Sequence, residues 1–284
     1  MTTARLHDGS EIAVMVRGEG PAILLPVSTT LIEGEAAERM RAWGADPNAG
    51  RDLAAGLKDH RVITADYEGH RAAHPAEKTL TADAVAADLL AIADATGADR
   101  FAYYGYSWLA LAGLQLAIRT DRLTGLAMGG YPPLGGPYEA MLAVTRSAHR
   151  QAVENKTHPP APKEVEPGDW DSSEVTAAPE QTGQYVTLYE SLEGFDDSNV
   201  TLTIPRLAFA GADDVIAYGA KWDHARVEIG PALAAHQREL ERQGWNVVIV
   251  PAADHMSTMH AAVVLPILRE WLGAATAAPS RKTS

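Results

Sequence analysis

Six short apolar runs recur along the chain and are separated mainly by segments with helical periodicity. Each run is short enough for a strand that is buried on both faces. Strands that alternate with helices favour a mostly parallel sheet with helices on both faces. The sequence therefore predicts an α/β protein. The runs are residues 21–26, 61–65, 100–104, 123–128, 206–210 and 246–250.

The segment 81–96 has the clearest helical pattern. Its apolar residues recur at helical spacing, Thr81 is suited to cap the amino end, and Gly97 follows as a stop signal. Two strands joined by a tight turn, residues 4–7 and 11–17, are predicted to form an antiparallel edge of the sheet. Further helices are predicted at residues 108–119, 227–243 and 263–272.

The alternation of strands and helices is interrupted between residues 131 and 200. This segment is rich in Pro, Gly, Glu and aromatic residues and shows no clear strand pattern. A structureless connection of that length is unusual in a compact domain, so we expect a small inserted helical cap. Residues 1–130 and 201–273 would then form the core, and residues 274–284 are predicted to be a disordered tail.

Composition and charge limit the classes of partner that the chain is expected to bind. The 284 residues include 24 Lys and Arg against 37 Asp and Glu, which gives a formal net charge of −13. Such a surface repels phosphate groups and anionic lipid, so nucleic-acid and membrane partners are not expected. The absence of cysteine excludes disulfides, thiolate metal sites and cysteine nucleophiles. Because no secretory pattern or membrane-spanning apolar stretch is present, a cytoplasmic protein is expected.

Ser107 is the first candidate for catalysis, because it follows an apolar strand and precedes a helical pattern. A serine on a sharp strand-to-helix turn projects its hydroxyl above the sheet edge, where the helix amino terminus offers N–H groups to an oxyanion. Gly105 supplies the small residue that such a turn needs two positions earlier. A serine that only caps the helix is the structural alternative.

Two later strands end in residues that would complete a catalytic triad. Asp213 and Asp214 follow the run at 206–210, and His255 follows the run at 246–250. A serine hydroxyl needs a base, and the base needs an acid that orients it. Because ligands of open α/β sheets bind outside the carboxyl ends of the strands, these side chains are predicted to converge on one edge.

In this order of motifs the sequence resembles the α/β-hydrolase superfamily, in the branch that has a serine nucleophile and a cap. The resemblance extends from about Leu6 to Leu272 and implies the α/β-hydrolase fold. Four motifs match in their order along the chain. They are residues 66–71, which resemble the superfamily's Asp-x-Arg-Gly-His-Gly loop, the strand and elbow at residues 103–107, the acid strand at 205–214, and the terminal histidine at 254–255.

Carried over by position, the resemblance implies that Ser107 is the nucleophile, His255 the general base and Asp214 the acid that orients the base. The backbone N–H groups of Ser28 and Trp108 would form the oxyanion hole. The remaining positions that are expected to contact a small-molecule substrate are Thr29, Tyr106, Leu109 and His260.

Two of these assignments have a neighbour that competes for the same role. Asp214 is favoured over Asp213 by its spacing from the preceding glycine, since alternate residues leaving a strand face opposite ways. His255 is favoured over His260, because His255 lies within the loop after the last strand whereas His260 adjoins the final helix.

Two departures from the superfamily pattern bear on activity. Leu109 stands where the elbow usually has a small residue, so we expect either a shifted helix or a side chain that points into the pocket. The loop at residues 26–30 reads PVSTT where the superfamily commonly has His-Gly. Both departures are expected to bear on efficient hydrolysis more than on the fold.

Three functions remain open from the sequence. The first is a serine hydrolase that cleaves an ester, thioester or lactone of a small apolar substrate through an acyl-enzyme, without a cofactor or metal ion. The second is an enzyme of the same fold that performs acyl transfer, cyclisation or carbon–carbon cleavage. The third is a non-catalytic binder of small molecules. The sequence does not indicate the oligomeric state.

Overall fold

The computed structural model describes residues 2–158, 169 and 174–277 of the chain. Strands and helices alternate through most of the described residues. The strands are β1 (Thr2–Arg5), β2 (Glu11–Arg17), β3 (Ala22–Leu25), β4 (Arg61–Thr64), β5 (Phe101–Tyr106), β6 (Leu123–Gly129), β7 (Arg206–Gly211), β8 (Val215–Ala217), β9 (Arg226–Glu228) and β10 (Trp245–Val250). The helices are α1 (Gly34–Ala42), α2 (Ala49–Gly56), α3 (Tyr67–Ala73), α4 (Ala82–Asp94), α5 (Trp108–Ala117), α6 (Tyr138–Thr157), α7 (Pro179–Glu190), α8 (Gly230–Arg242), α9 (His255–Thr258) and α10 (Ala261–Ala277).

Eight of these strands form one sheet, in the order β1-β2-β4-β3-β5-β6-β7-β10. The pairings β1–β2 and β2–β4 are antiparallel, and every pairing from β4 to β10 is parallel. The predicted mostly parallel sheet with an antiparallel edge is therefore confirmed. Since parallel strands point the same way, the loops that follow β3, β4, β5, β7 and β10 emerge at the same sheet edge.

Helices cover both faces of the sheet and bury two apolar clusters. One cluster includes Leu89 of α4 and Leu114 of α5, and the other includes Leu53 of α2 and Leu268 of α10. The predicted amino-terminal cap of α4 is confirmed, because the Thr81 side chain accepts a hydrogen bond from the backbone N–H of Ala84 at 3.2 Å. Burial on both faces explains why the central parallel strands, such as β3 and β5, are almost entirely apolar.

The predicted helix at 227–243 is wrong in its first residues. Arg226–Glu228 is a strand that pairs with β8, and α8 begins only at Gly230. Gly230 lies so close to the backbone oxygen of Gly211 that a Cβ atom there would be 2.2 Å away, which fixes the position of the helix start. Pro231 follows in the first turn, where its missing N–H costs no helical hydrogen bond.

The segment between β6 and β7 contains the helices α6 and α7, while residues 159–168 and 170–173 lie outside the described residues. Arg146 of α6 forms an ion pair with Glu190 of α7 at 2.8 Å. Gln184 links α7 to the backbone of α3 and of the loop after it. Its side-chain oxygen accepts a hydrogen bond from Ala76 N, and its side-chain nitrogen donates one to Arg71 O, each at 3.1 Å. The segment is helical as expected, and its status as a cap domain stays a prediction.

The last helix extends further than the sequence pattern indicates. Residues 274–277 belong to α10, so the predicted disordered tail is wrong for these four residues. Val264, Leu268 and Trp271 of the same helix pack on the sheet, and the helix continues for less than two turns beyond them. Residues 278–284 lie outside the described residues. None of the helices that the structure describes is long and apolar enough to cross a membrane.

Candidate active site

Ser107 occupies the sharp turn between β5 and α5. Its backbone has φ 56° and ψ −130°, a conformation that costs a residue with a side chain about 1–3 kcal/mol. The backbone is held from two sides, because Ser107 N donates to Gly129 O at 2.8 Å and Ser107 O accepts from Ala110 N at 2.8 Å. Its side chain makes no capping hydrogen bond. Ser107 therefore stands at the N-cap position of α5, but its hydroxyl does not cap the helix.

Gly105 permits the close approach of β5 to α5. A Cβ atom at this position would lie 2.2 Å from the backbone oxygen of Leu109 and 2.9 Å from Ala110 N. These distances are far below a normal contact between carbon and a backbone atom, so any side chain would force the turn apart. The prediction that a small residue is needed two positions before Ser107 is confirmed.

Asp214 and His255 are joined by a hydrogen bond although they are 41 residues apart. The Nδ1 atom of His255 lies 2.9 Å from Oδ2 of Asp214, and Asp214 is fully buried. Backbone N–H groups of Ile229 and Gly230 both donate to Asp214 O at 3.0 Å, which fixes the loop that carries the carboxylate. Asp213 is exposed. Between the two candidate acids, the geometry thus pairs Asp214 with the imidazole.

His255 is the first residue of the short helix α9. Asp254 caps this helix by accepting a hydrogen bond from Ser257 N at 2.8 Å. With Nδ1 on Asp214, the second ring nitrogen is the one available for a proton from another group. Among the described residues, no hydrogen bond links His255 to Ser107. Hydrogen bonds of this type are often formed only when substrate is bound.

Tyr106 connects the turn at Ser107 with the loop that carries His255. Its hydroxyl donates to the backbone oxygen of His255 at 2.6 Å, and its ring centroid lies 5.1 Å from that of the imidazole. Burial raises the pKa of Tyr106 far above its ordinary value, and the nearby Asp214 carboxylate adds to this effect. The phenol therefore stays protonated and remains a donor. Sequence reasoning assigned Tyr106 to substrate binding, but the structure directs its hydroxyl to His255.

The two backbone groups predicted to form the oxyanion hole are available. Within the part of the chain that the structure describes, neither Ser28 N nor Trp108 N donates to an acceptor. Trp108 is the first residue of α5, where helical N–H groups have no partner inside the helix. The loop at Ser28 is fixed by Gly50 of α2, at which a Cβ atom would lie 2.2 Å from Ser28 O.

The structure gives separate contacts for the three other residues that are predicted to bind substrate, and their role in binding stays a prediction. Thr29 lines a cavity of about 330 Å³ against β2 and α2, together with Arg17 and Arg51. Leu109 is buried in an apolar cluster beside the sheet, and α5 begins at Trp108 as predicted, so the expected shift of the helix is not observed. The Nε2 atom of His260 lies 2.6 Å from Gly44 O, which ties it to the loop after α1.

Glu68 is a residue of this edge that sequence reasoning missed. It lies in α3, directly after β4, and its Oε1 accepts a hydrogen bond from Trp108 Nε1 at 3.1 Å. Tyr185 of α7 contacts the same indole edge to face, with ring centroids 5.3 Å apart. The available signal was the motif itself, because Glu68 stands where the Asp-x-Arg-Gly-His-Gly loop has arginine.

No metal centre is visible in residues 2–158, 169 and 174–277, where no three His, Asp or Glu side chains are placed to share an ion. A cavity of about 840 Å³ lies between the helices α6, α7 and α8, and Tyr138, Tyr189 and Phe195 are part of its lining. Ser107 does not line this cavity. The chemistry available at the sheet edge is thus that of a hydroxyl, an imidazole and a buried carboxylate.

The chain resembles solved structures over almost its whole length. An enol-lactonase from Burkholderia xenovorans LB400 is 19% identical with a TM-score of 0.58, covering 95% of this chain and 99% of that chain. A thermophilic esterase from Thermogutta terrifontis is 19% identical with a TM-score of 0.55, covering 97% and 98%. AqDC, described as recognising and cleaving the ring of the Pseudomonas quinolone signal, is 14% identical with a TM-score of 0.63, covering 96% and 100%.

Neither a family model nor a curated protein matches the chain. The structural similarity is nevertheless continuous, and the compared proteins are almost entirely covered. The mostly parallel sheet with an antiparallel edge and the strained serine between β5 and α5 agree with it. This chain has the α/β-hydrolase fold.

Proposed function

We propose that this protein is a serine hydrolase that cleaves an ester, thioester or lactone through an acyl-enzyme. The observation that carries the proposal is the hydrogen bond of 2.9 Å between His255 and the fully buried Asp214. A buried carboxylate is costly unless it is paired, and among the described residues Asp214 has no side-chain partner besides His255. Such an arrangement is expected where the imidazole must be held in one tautomer and accept a proton.

In the first half of the proposed reaction, Ser107 Oγ attacks the carbonyl carbon of the substrate while its proton moves to Nε2 of His255. Asp214 stabilises the imidazolium that forms. The backbone N–H groups of Ser28 and Trp108 donate to the oxyanion of the tetrahedral intermediate. The intermediate then expels the alcohol, thiol or enol leaving group, which takes the proton from His255, and the acyl group remains on Ser107.

In the second half, water replaces the leaving group. His255 removes a proton from the water as it attacks the acyl carbon, and the second tetrahedral intermediate uses the same two oxyanion donors. Its collapse breaks the bond to Ser107 Oγ, which recovers its proton from His255. The products are a carboxylic acid and the free enzyme. For a lactone, both product groups remain in one molecule.

The nature of the reactive bond is supported by chemistry and by similarity together. A neutral serine hydroxyl activated by a histidine attacks acyl carbons, and the enol-lactonase and esterase names describe reactions of this class. Identities of 19% carry the fold alone, so the reaction class is proposed from the chemistry of the site, and no substrate follows from the two names. A small molecule with an ester, thioester or lactone bond is the proposed substrate.

A fluorophosphonate tests the proposal directly, because it phosphonylates an activated serine irreversibly. Intact-mass spectrometry should show one adduct on the wild-type protein and none on Ser107→Ala. Tryptic mapping should locate the adduct on Ser107, and hydrolysis of 4-nitrophenyl butyrate should be lost in parallel. An unlabelled wild-type protein, or equal labelling and turnover in Ser107→Ala, would contradict the proposal and favour chemistry without an acyl-enzyme.

A further inference from the structure

The cavity of about 330 Å³ between β2 and α2 adjoins a second cavity. Arg17 and Arg51 are part of the lining of the first one. The second cavity has a volume of about 210 Å³, and Arg17 and Lys58 are part of its lining. Because Arg17 and Ala54 line both, the two cavities form one groove along α2, which we call the α2 groove.

The charge of the α2 groove is opposite to that of the whole protein. Arg17, Arg51 and Lys58 line it, and among the described residues no Asp or Glu does. The formal net charge of the chain is −13. Asp52 and Asp59 follow two of these cations in the sequence and are exposed, but neither lines the groove. A concave surface lined by charges of one sign concentrates counter-ions of the other sign.

The three cations of the α2 groove are not neutralised by the protein. Within residues 2–158, 169 and 174–277, Arg17, Arg51 and Lys58 form no ion pair and no side-chain hydrogen bond. Arg51 also stands in the first turn of α2. The amino end of a helix carries partial positive charge, so an unpaired cation is unfavourable there. An anion in the groove would compensate the charge of Arg51 and would give the two other cations a partner.

We propose that the α2 groove binds a small anion that carries two phosphate groups. A guanidinium group donates to two phosphate oxygens at once, and an ammonium group adds a point charge. Three cations along two adjoining cavities suit a ligand that carries charge at two places. The larger cavity has the size of a ligand site, for which about 300–1,000 Å³ is typical. Ser107 and His255 do not line the groove, so the site is independent of the proposed function.

Isothermal titration calorimetry with inorganic pyrophosphate tests the site, at low ionic strength so that salt does not screen the charges. The wild-type protein should show one saturable site. Inorganic phosphate, which has a single group, should bind about tenfold more weakly. Arg17→Gln is the most informative substitution, because Arg17 lines both cavities. It should weaken pyrophosphate binding by about tenfold, the loss expected for a charge-assisted hydrogen bond, and Arg51→Gln should act in the same direction.

Arg238→Gln is the matched control. Arg238 is exposed on α8, forms no ion pair among the described residues and does not line the groove. Its substitution removes the same charge and should change the pyrophosphate affinity by less than about twofold. Thermal unfolding without ligand should be alike for all variants, because the substituted side chains lack polar partners in the protein. No saturable binding, equal affinities for phosphate and pyrophosphate, or equal weakening by Arg17→Gln and Arg238→Gln would overturn the site.

Discussion

Tyr106 donates a hydrogen bond of 2.6 Å to the backbone oxygen of His255, and the two rings lie 5.1 Å apart. The residue next to Ser107, the proposed nucleophile, therefore holds the loop that carries the proposed base. This contact spans 149 positions of the chain. It couples the geometry of β5 to that of the loop after β10, and it gives Tyr106 a positioning role in the proposed reaction.

Tyr106→Phe should lower activity more than it lowers stability. Loss of the hydroxyl leaves His255 O without its donor, which costs about 1 kcal/mol in the free energy of unfolding. A displaced imidazole should reduce kcat/KM for 4-nitrophenyl butyrate by about tenfold. Tyr104→Phe is the control, since Tyr104 lies on the same strand and packs against Phe209 in the core. Equal kcat/KM values for the two variants would show that the Tyr106 hydroxyl has no positioning role.

Asp214→Asn should abolish most of the proposed activity, whereas Asp213→Asn should change it by less than about twofold. The first substitution removes the charge that holds the His255 imidazole, and in serine proteases the corresponding loss is about four orders of magnitude in kcat. Asp213 is exposed and makes no side-chain contact with His255. The rate of fluorophosphonate labelling measures both effects. Comparable losses in the two variants would contradict the assignment of the acid.

Gly105→Ala should destabilise the fold by about 3 kcal/mol or more. The new methyl group would lie 2.2 Å from Leu109 O, and backbone atoms on both sides of the turn prevent a simple adjustment. Gly273→Ala is the opposite case, because a Cβ atom there meets nothing within 4 Å and the residue is helical. It should stabilise the protein by about 0.5–1 kcal/mol. Urea unfolding of both variants tests the pair, and a tolerated Gly105→Ala would refute the close approach.

The ion pair between Asp8 and the fully buried Arg71, 2.9 Å long, should make stability depend on pH. Partial burial raises the pKa of the Asp8 carboxyl, but hydrogen bonds from Ser10 and Arg71 outweigh it and hold the pKa well below its ordinary value of 3.8. A carboxyl with a lowered folded-state pKa contributes stability above its unfolded pKa and loses it as the pH falls below. Wild-type protein should therefore lose stability below about pH 4 through this pair.

Asp8→Asn tests this contribution, because it leaves the buried Arg71 without a counter-charge. Because solvent reaches Asp8 and screens the pair, the substitution should cost about 1–2 kcal/mol at pH 7, and the difference from wild type should shrink as the pH is lowered from 5 to 3. Asp83→Asn removes a carboxylate from the pair with Arg119, in which Asp83 is 83% exposed. That control should cost less than about 0.5 kcal/mol at each pH. A difference for Asp8→Asn that does not vary between pH 7 and pH 3 would contradict the assignment.

The sequence by itself determined the eight strands of the main sheet, the parallel core with its antiparallel edge, and the order of Ser107, Asp214 and His255 along the chain. These features are local, since each depends on a short apolar run and on the few residues that follow it. The direction of parallel strands then places the ends of those runs at one edge. Such patterns require no knowledge of which distant segments touch.

The tertiary structure decided which side chains meet at that edge. The partner of the Tyr106 hydroxyl, the burial of Leu109, and the contacts of Thr29 and His260 all involve segments that lie far apart in sequence or face a surface that only folding creates. Glu68 is visible in the sequence as a substitution in a motif, but its contact with Trp108 crosses 40 residues. Hydrogen bonds and burial between distant segments depend on how the helices pack, which a pattern of neighbouring residues does not encode.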